Sequence, residues 1–444
     1  MVRLYDTRSR RVEEVLPSPG RALRMHTCGP AVHHRPRLGD LRPHLLADLI
    51  RRAAERHGAR VVVCRSVADI GDPGRDRDAA RRHEEAFGAD MEALNIRPCE
   101  FAPRATESVD LAIELIAGLI EKGHAYRAAD GSVFFDAASF PSYGEISGNR
   151  LDRLRPGHRG EAAEPAKRFH ADWALWRRSD GGEVWDSPWG SGLPAPNVVC
   201  TAMALRHLGG RVDVRVGGIE SCFPYHEDER AQSNAATGHE AVGHWVHSGR
   251  LRFAGYDTDG PGERPPALAE VSAAGLDPLA VRLALMEHRY RREVTLTWDV
   301  LRAADETLRR WRARVAEWAE SPSRPMSTGH AARVRAAFDD DLDTPLALRV
   351  LRELERDESA SPGARFETFI DADFLLALDL SRDIGKTSPP LPPGAAELLD
   401  RRARARDARD WTAADRLRDE LAALGVRVAD TPGGQVAASV RDRP

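Results

Sequence analysis

The first quarter of the chain alternates between β-branched runs and runs with helical apolar spacing. Residues 22–30 read as a strand that ends in a Cys28-Gly29-Pro30 turn, and residues 43–57 have the spacing of a helix. The β-branched run at 60–67 predicts a second strand. A strand, a helix and a strand in this order usually form a right-handed unit with parallel strands. The pattern therefore predicts an α/β domain on a parallel sheet.

This α/β rhythm is interrupted in the middle of the chain. Two amphipathic helices are predicted at 75–95 and 104–123. The stretch 126–195 then has short strands such as 132–135, many turns and several tryptophans, which indicates an inserted subdomain. The α/β pattern returns at 198–250.

The last third of the chain is helical in pattern. From about residue 277 the sequence is rich in Arg and Ala with helical periodicity. A linker rich in Pro and Gly at 386–394 precedes a last predicted helix at 395–424 and a short tail. The predicted fold class is therefore α/β, with a Rossmann-like parallel sheet, an inserted subdomain and a C-terminal helical domain.

Composition is typical of a globular protein of the cytoplasm. The 444 residues include 65 Lys+Arg and 69 Asp+Glu, for a formal net charge of -4, and no stretch reaches the roughly 18 apolar residues of a membrane span. The start has no apolar signal region and the number of cysteines is odd, so a reducing cytoplasm is expected. The only lysines are Lys122, Lys167 and Lys386, which excludes chemistry that needs clustered lysines.

Short motifs along nearly the whole chain resemble those of the cysteinyl-tRNA synthetases, in the same order. They are CGPAV at 28–32, PRATE at 103–107, IEKGHAY at 120–126, WDSPWG at 185–190, CTAM at 200–203, GGIE at 217–220, FPYHEDE at 223–229, DDLDTP at 340–345 and WTAADR at 411–416. The resemblance implies a class I synthetase fold. The domains it implies are a Rossmann-like domain at 1–125 and 196–255, an acceptor-end subdomain at 126–195, a stem-contact segment at 256–315, a helical bundle at 316–388, and a C-terminal helix and tail at 389–444.

The two motifs with which this family binds ATP are replaced here. The family's signature, His-Ile-Gly-His or His-Ile-Gly-Asn, corresponds to residues 37–40, where Gly39 still allows close approach of a ligand and Arg37 could bind a phosphate. Asp40, however, would repel a phosphate. The Lys-Met-Ser-Lys-Ser loop corresponds to residues 256–264, where aspartates and glycines replace the lysines. Loss of ordinary ATP-dependent activation is therefore expected.

The family also holds a zinc ion with two Cys, one His and one Glu. The corresponding residues are Cys28, Cys200, Tyr225 and Glu229, so a tyrosine replaces the histidine. Zinc prefers a full set of ligands, and the neighbouring His226 offers another fourth ligand. A zinc site and a pair of metal-free thiols both remain open.

Several pocket positions change as well. Ala68 and Asn197 stand where the family has a hydroxyl and an imidazole near its substrate, so a ligand other than cysteine is expected. Histidines and carboxylates together permit general acid–base catalysis. The predicted catalytic residues are His33, His34, Arg37, Asp40, Asp69 and Asp72. The predicted ligand-binding residues are Gly29, Gly39, Ala68, Asn197, Gly217, Gly218, Tyr225 and His226.

Three functions follow from these features. The favoured hypothesis is a repurposed enzyme of specialised metabolism that acts on a different small amino-acid-like or nucleotide-like ligand, since the replacements are polar and charged. The second is a working cysteine–tRNA ligase or an amino acid–small molecule ligase. The third is a non-catalytic module that binds tRNA or a partner, although the tail after residue 431 lacks the family's base-stacking aromatic. A monomer or small oligomer is expected.

Overall fold

A computed structural model describes residues 2–15, 17, 22–32, 34–70, 77–157, 165–256, 265–386, 392–431 and 434–439. The chain divides into two compact units, Met1–Arg382 and Asp383–Pro444, and each is described by itself. His33, Asp72 and the segment 257–264, on which expectations were placed, lie outside the described residues.

Strands and helices alternate through most of the first unit. The described strands are β1 (Arg3–Asp6), β2 (Arg11–Glu14), β3 (Leu23–Ala31), β4 (Val61–Ala68), β5 (Ala125–Arg127), β6 (Val133–Phe135), β7 (Trp173–Arg178), β8 (Gly192–Pro194), β9 (Val212–Gly218), β10 (Val242–Ser248), β11 (Leu251–Phe253) and β12 (Val294–Leu296). The described helices are α1 (Leu38–Arg56), α2 (Arg77–Ala93), α3 (Val109–Glu121), α4 (Pro196–Leu208), α5 (Glu227–Thr237), α6 (Leu268–Ala273), α7 (Pro278–Met286), α8 (Trp298–Ala319), α9 (Thr328–Asp339), α10 (Thr344–Arg356) and α11 (Pro362–Leu376).

A parallel sheet with the order β10-β9-β3-β4 forms the centre of this unit. Met25 of β3 lies opposite Val63 of β4 on one side and Val214 of β9 on the other. Both faces of a parallel sheet are usually covered, which accounts for the near-continuous apolar runs in these strands. The predicted strand–helix–strand unit and the predicted α/β fold class are confirmed.

Helix α1 begins at Leu38, five residues earlier than the sequence pattern indicates, and contains Pro43. Proline removes one backbone hydrogen bond from a helix, so the first turns need another support. The buried guanidinium of Arg42 provides it by donating to four backbone carbonyls. They belong to Gly249, Arg250, Tyr290 and Arg292.

The stretch between β5 and β8 folds as an antiparallel sheet with the order β5-β6-β7-β8. The ring of Trp173 stacks on Phe135 with 4.3 Å between the centroids, and Trp176 is fully buried. Aromatic packing therefore forms the core of the region that the sequence marks as an insertion. The six domain boundaries proposed from the sequence stay predictions.

Helices α8–α11 share one hydrophobic core with the parallel sheet. At its centre, Asp48 of α1 accepts hydrogen bonds from Arg52 at 2.7 Å and from Arg282 of α7 at 2.6 Å. Arg282 also donates to the carbonyl of Leu376 in α11. This buried network connects α1, which borders the pocket described below, to the helices that follow.

The second unit contains two helices and a hairpin, namely α12 (Ala395–Asp407), α13 (Trp411–Ala423), β13 (Val426–Thr431) and β14 (Gly434–Ser439). The predicted single helix at 395–424 is wrong. Arg409 has a φ of 58° and the Asp410 carboxylate caps a new helix by accepting from the Ala413 N–H. The predicted short tail forms the antiparallel hairpin. No helix within the described part of the chain is long and apolar enough to cross a membrane.

Candidate ligand pocket

A cavity of about 330 Å³ opens beside the carboxyl ends of β3, β4 and β9 and the first turns of α1. Ligands in open α/β sheets bind at this edge. Twelve of the predicted site residues line this cavity, which we call the central pocket. They are Cys28, Gly29, His34, Asp40, Ala68, Asn197, Cys200, Gly217, Gly218, Tyr225, His226 and Glu229. Their roles remain predictions.

Three other predicted site residues lie apart from the central pocket. Arg37 pairs with Glu270 at 3.1 Å, and Gly39 lies in the first turn of α1 without lining the pocket. Asp69 accepts two hydrogen bonds from Thr106, at 2.9 and 2.6 Å, and faces a different cavity of about 820 Å³.

A side chain of α1 caps the first turn of this helix. The carboxylate of Asp40 accepts a hydrogen bond from the Arg37 N–H at 2.8 Å. The amino end of a helix carries partial positive charge and is a common binding place for phosphate. Here a carboxylate of the protein takes one of these donors.

The floor of the pocket is formed by Cys28, Cys200, Glu229 and Arg215, which we call the thiol cluster. The two sulfurs lie 3.5 Å apart, and Sγ of Cys28 lies 3.7 Å from Oε1 of Glu229. Arg215 donates from Nη2 to Sγ of Cys28 at 2.8 Å. It also donates to both Glu229 oxygens, at 2.9 and 3.1 Å. Arg215 is only 1% exposed.

Charges within this cluster shift one another's protonation. The Cys200 thiol lowers the pKa of Cys28, and Arg215 acts in the same direction against the effect of burial. The same contact and burial raise the pKa of Cys200. Burial lowers the pKa of Arg215, but Cys28 and Glu229 outweigh it and hold that pKa above its ordinary value. The guanidinium therefore stays charged.

The resemblance implies a zinc ion at this position. Donor atoms of Cys28, Cys200 and Glu229 lie within 4.8 Å of one another, close enough to share a metal ion. Arg215 already contacts two of these three ligands. Of the predicted fourth ligands, Tyr225 is 55% exposed, and neither ring nitrogen of His226 lies within 4.8 Å of all three donor atoms. The described residues therefore do not fit a four-ligand zinc site.

A chain of hydrogen bonds leads from the pocket into the protein. Nδ1 of His226 lies 2.8 Å from Nε2 of His247, whose Nδ1 lies 2.7 Å from Oγ1 of Thr7. Burial lowers the pKa of His247 to about 3 and also lowers that of His226, so both rings are neutral. A Cβ at Gly217 would lie 2.4 Å from Cε1 of His226, which explains why a glycine is needed there.

Comparisons with known proteins identify the family to which this chain belongs. The family model "tRNA synthetases class I (C) catalytic domain" matches residues 15–306, and "Cysteinyl-tRNA ligase anticodon binding domain" matches residues 388–436. The chain belongs to the cysteinyl-tRNA synthetase family. Relatives include the cysteine–tRNA ligases of Alkalilimnicola ehrlichii and of a Caulobacter species, each 36% identical over 98% of this chain and 99% and 98% of theirs. The predicted family membership is confirmed.

Solved class I synthetases share the fold of this family member. An Agrobacterium radiobacter LeuRS in a ternary complex with tRNA and LeuAMS matches with a TM-score of 0.58 and 10% identity, over 81% of this chain and 84% of its own. The methionyl-tRNA synthetase of Mycobacterium tuberculosis bound by methionyl-adenylate matches with a TM-score of 0.52 and 15% identity, over 89% and 96%.

Sequence reasoning missed four titratable side chains of this cysteinyl-tRNA synthetase-like pocket and its surroundings. They are His44, Arg215, Glu220 and His247. Arg215 could have been identified from the sequence, because it is a charged residue in the valine-rich run of β9, where a central parallel strand is expected to be apolar. His44 is nearly fully buried, and its Nδ1 has no hydrogen-bond partner among the described residues. It is therefore a group that a ligand could satisfy.

Proposed function

We propose that this family member binds a small amine-bearing molecule of amino-acid size in the central pocket, and that it does not activate cysteine with ATP in the ordinary manner. The observation that carries this proposal is the Asp40 carboxylate on the first turn of α1. A phosphate at that helix end would meet a negative charge at short range, and the carboxylate already takes the N–H of Arg37.

The other charges of the pocket support the same proposal. Asp40 and Glu220 both line it, and neither forms a salt bridge with another described residue. The guanidinium of Arg37 is paired with Glu270, and that of Arg215 with Glu229. The pocket wall therefore offers carboxylates that favour a cationic group such as an ammonium over a triphosphate.

Neutral His226 provides a group for proton transfer beside such a ligand. If the Thr7 hydroxyl donates to Nδ1 of His247, then Nε2–H of His247 donates to Nδ1 of His226. In that arrangement His226 carries its proton on Nε2, which can donate to a ligand. If Thr7 accepts, the order reverses and Nε2 of His226 becomes an acceptor. This hydrogen-bonded chain supports general acid–base chemistry on an amine or a neighbouring group.

The test measures activation and binding separately. We expect the rate of cysteine-dependent ATP–pyrophosphate exchange to be at least about 1000-fold below that of a cysteine–tRNA ligase relative assayed in parallel. Removal of a single well-placed hydrogen-bond donor from an active site already lowers kcat by about 100- to 1000-fold. In calorimetry we expect cysteamine to bind more tightly than 3-mercaptopropionate, which has the thiol but no amine. Asp40→Asn and Glu220→Gln should each weaken cysteamine binding about tenfold.

Asp299→Asn, on the exposed face of α8, is the matched control and should bind cysteamine like the parent protein. Exchange at the rate of the relative would contradict the loss of activation. Tighter binding of 3-mercaptopropionate than of cysteamine would contradict the amine ligand.

A retained interaction with tRNA is the second candidate, favoured by the match of residues 388–436 to an anticodon-binding domain. We expect total tRNA to bind with an affinity that falls steeply with salt. The double variant Arg401→Gln/Arg404→Gln, on exposed positions of α12, should lower the slope of log affinity against log salt by about 1.5. Arg302→Gln on α8 should leave the slope unchanged. Absence of binding even at low salt would reject this candidate.

A further inference from the structure

We infer that Arg215 takes the place of the metal ion in this protein, so that the thiol cluster is a metal-free site held together by a guanidinium. This inference is independent of which ligand the central pocket binds. It rests on the contacts of Arg215, on the geometry that an added ion would face, and on the ligands available to complete a metal site.

Arg215 contacts two of the three side chains that a cation at the centre of the cluster would contact. Its Nη2 donates to Sγ of Cys28, and its Nε and Nη2 donate to the two oxygens of Glu229. Its Nη1 donates to the carbonyl of Val216, which fixes the planar group against its own strand. A buried carboxylate beside a partly buried thiol needs a nearby positive charge, and Arg215 provides it with several directed hydrogen bonds.

A zinc ion could not share these ligands with Arg215. A Zn–S bond to Cys28 is about 2.3 Å long, and Sγ of Cys28 lies 2.8 Å from Nη2 of Arg215. An ion bonded to Cys28 would thus lie within about 5 Å of the guanidinium nitrogen, inside a buried site where like charges repel strongly. It would also compete with Arg215 for the Glu229 carboxylate, both of whose oxygens accept from the guanidinium.

Completion of a zinc ligand set would need further rearrangement. The group of donor atoms near enough to share an ion comprises, within the described ranges, only those of Cys28, Cys200 and Glu229. His226 is not part of this group, so its ring would have to move before its Nε2 could serve as the fourth ligand. In the family, as the resemblance implies, the zinc ion selects cysteine by binding its sulfur. A chain with Arg215 in this position lacks that means of selecting a thiol.

The test is the metal content of the full-length protein, without a histidine tag, purified from cells grown with added zinc. By mass spectrometry of the metal we expect the parent protein to hold less than about one-tenth of an equivalent of zinc. Arg215→Met should raise this to nearly one equivalent, since it frees the two thiols and Glu229 for an ion whose fourth position a water can fill. Arg215→Met/Cys200→Ser should lose the gained zinc. Arg24→Met, which removes another arginine of the same sheet, should stay at the parent level.

Two further measurements keep the outcome clear. Cobalt added to Arg215→Met should give the thiolate-to-cobalt absorption that the parent protein does not give, and zinc should protect Cys28 from alkylation in the variant only. A parent protein with nearly one equivalent of zinc that is lost in Cys200→Ser would overturn the inference, whether or not Arg215→Met folds. A folded Arg215→Met variant that gains no zinc would overturn it as well.

Discussion

Replacement of Arg215 by methionine is expected to lower the free energy of unfolding by about 3–5 kcal/mol in metal-free buffer. Methionine fills much of the same volume, but it leaves the buried Glu229 and the partly buried Cys28 without the cation that they contact. Removal of one partner from a buried charge pair is costly because the other charge keeps its desolvation penalty. Urea unfolding followed by tryptophan fluorescence measures this loss, since all tryptophans except Trp411 lie in the first unit.

Zinc provides a second measurement on the same variant. If the freed ligands bind the ion, added zinc should recover part of the lost stability in Arg215→Met, because a ligand that binds only the folded state stabilises it. Arg302→Met serves as control, because this arginine forms a surface ion pair whose loss should cost no more than about 1 kcal/mol. A loss at Arg215 no larger than that of the control would contradict the central position of its charge.

Asp48→Asn is expected to have a comparable effect, about 3–5 kcal/mol at neutral pH. The carboxylate of Asp48 accepts from both Arg52 and Arg282, and its removal leaves the buried Arg282 without a counter-ion. The network joins α1 to α7 and, through the Leu376 carbonyl, to α11. The substitution should therefore weaken the packing of α1 against α7 and α11.

The same substitution predicts a pH dependence. Burial alone would raise the pKa of Asp48, but Arg282 and Arg52 outweigh it and hold that pKa below its ordinary value. A carboxyl group with a lowered pKa stabilises the fold at pH values above its unfolded-state pKa of about 4, and this stabilisation is lost as the pH falls further. The stability difference between parent and Asp48→Asn should therefore be full at pH 7 and shrink below about pH 4.

This dependence is measured by the free energy of unfolding of both proteins at a series of pH values, from pH 7 down to the lowest pH at which both still fold. Asp299→Asn is again the control, because its carboxylate is exposed and its pair with Arg302 is screened by water. A constant difference between the parent and Asp48→Asn across the acid range would show that the Asp48 charge does not contribute as expected.

Much of this protein was determined by sequence alone. The β-branched runs and the helical spacing between them specify β3, α1 and β4, because alternating patterns of this kind can bury an apolar face in only a few ways. The order of short motifs along the chain fixed the family, which the comparisons confirm. The change of the family's signature to Arg37, Leu38, Gly39 and Asp40 at the start of α1 was also visible in the sequence.

Local pattern was less reliable where a side chain decides the structure. The spacing indicated a helix over residues 43–57, yet α1 begins at Leu38, and Arg42 anchors its first turns to distant carbonyls. The run at 395–424 looks like one helix, yet Asp410 ends one helix and caps the next. In both places a few directed hydrogen bonds outweigh the periodic spacing.

Only the tertiary structure decided what lies at the centre of the pocket. Cys28 and Arg215 are 187 positions apart in the chain, but β3 and β9 are neighbours in the sheet, so the guanidinium reaches the sulfur. Likewise Thr7, His226 and His247 form one hydrogen-bonded chain from three separate elements. The sequence alone showed that Cys28, Cys200 and Glu229 of the family's metal site are kept. Only the tertiary structure showed that they lie beside Arg215, because this contact depends on the pairing of β3 with β9, two strands distant in sequence.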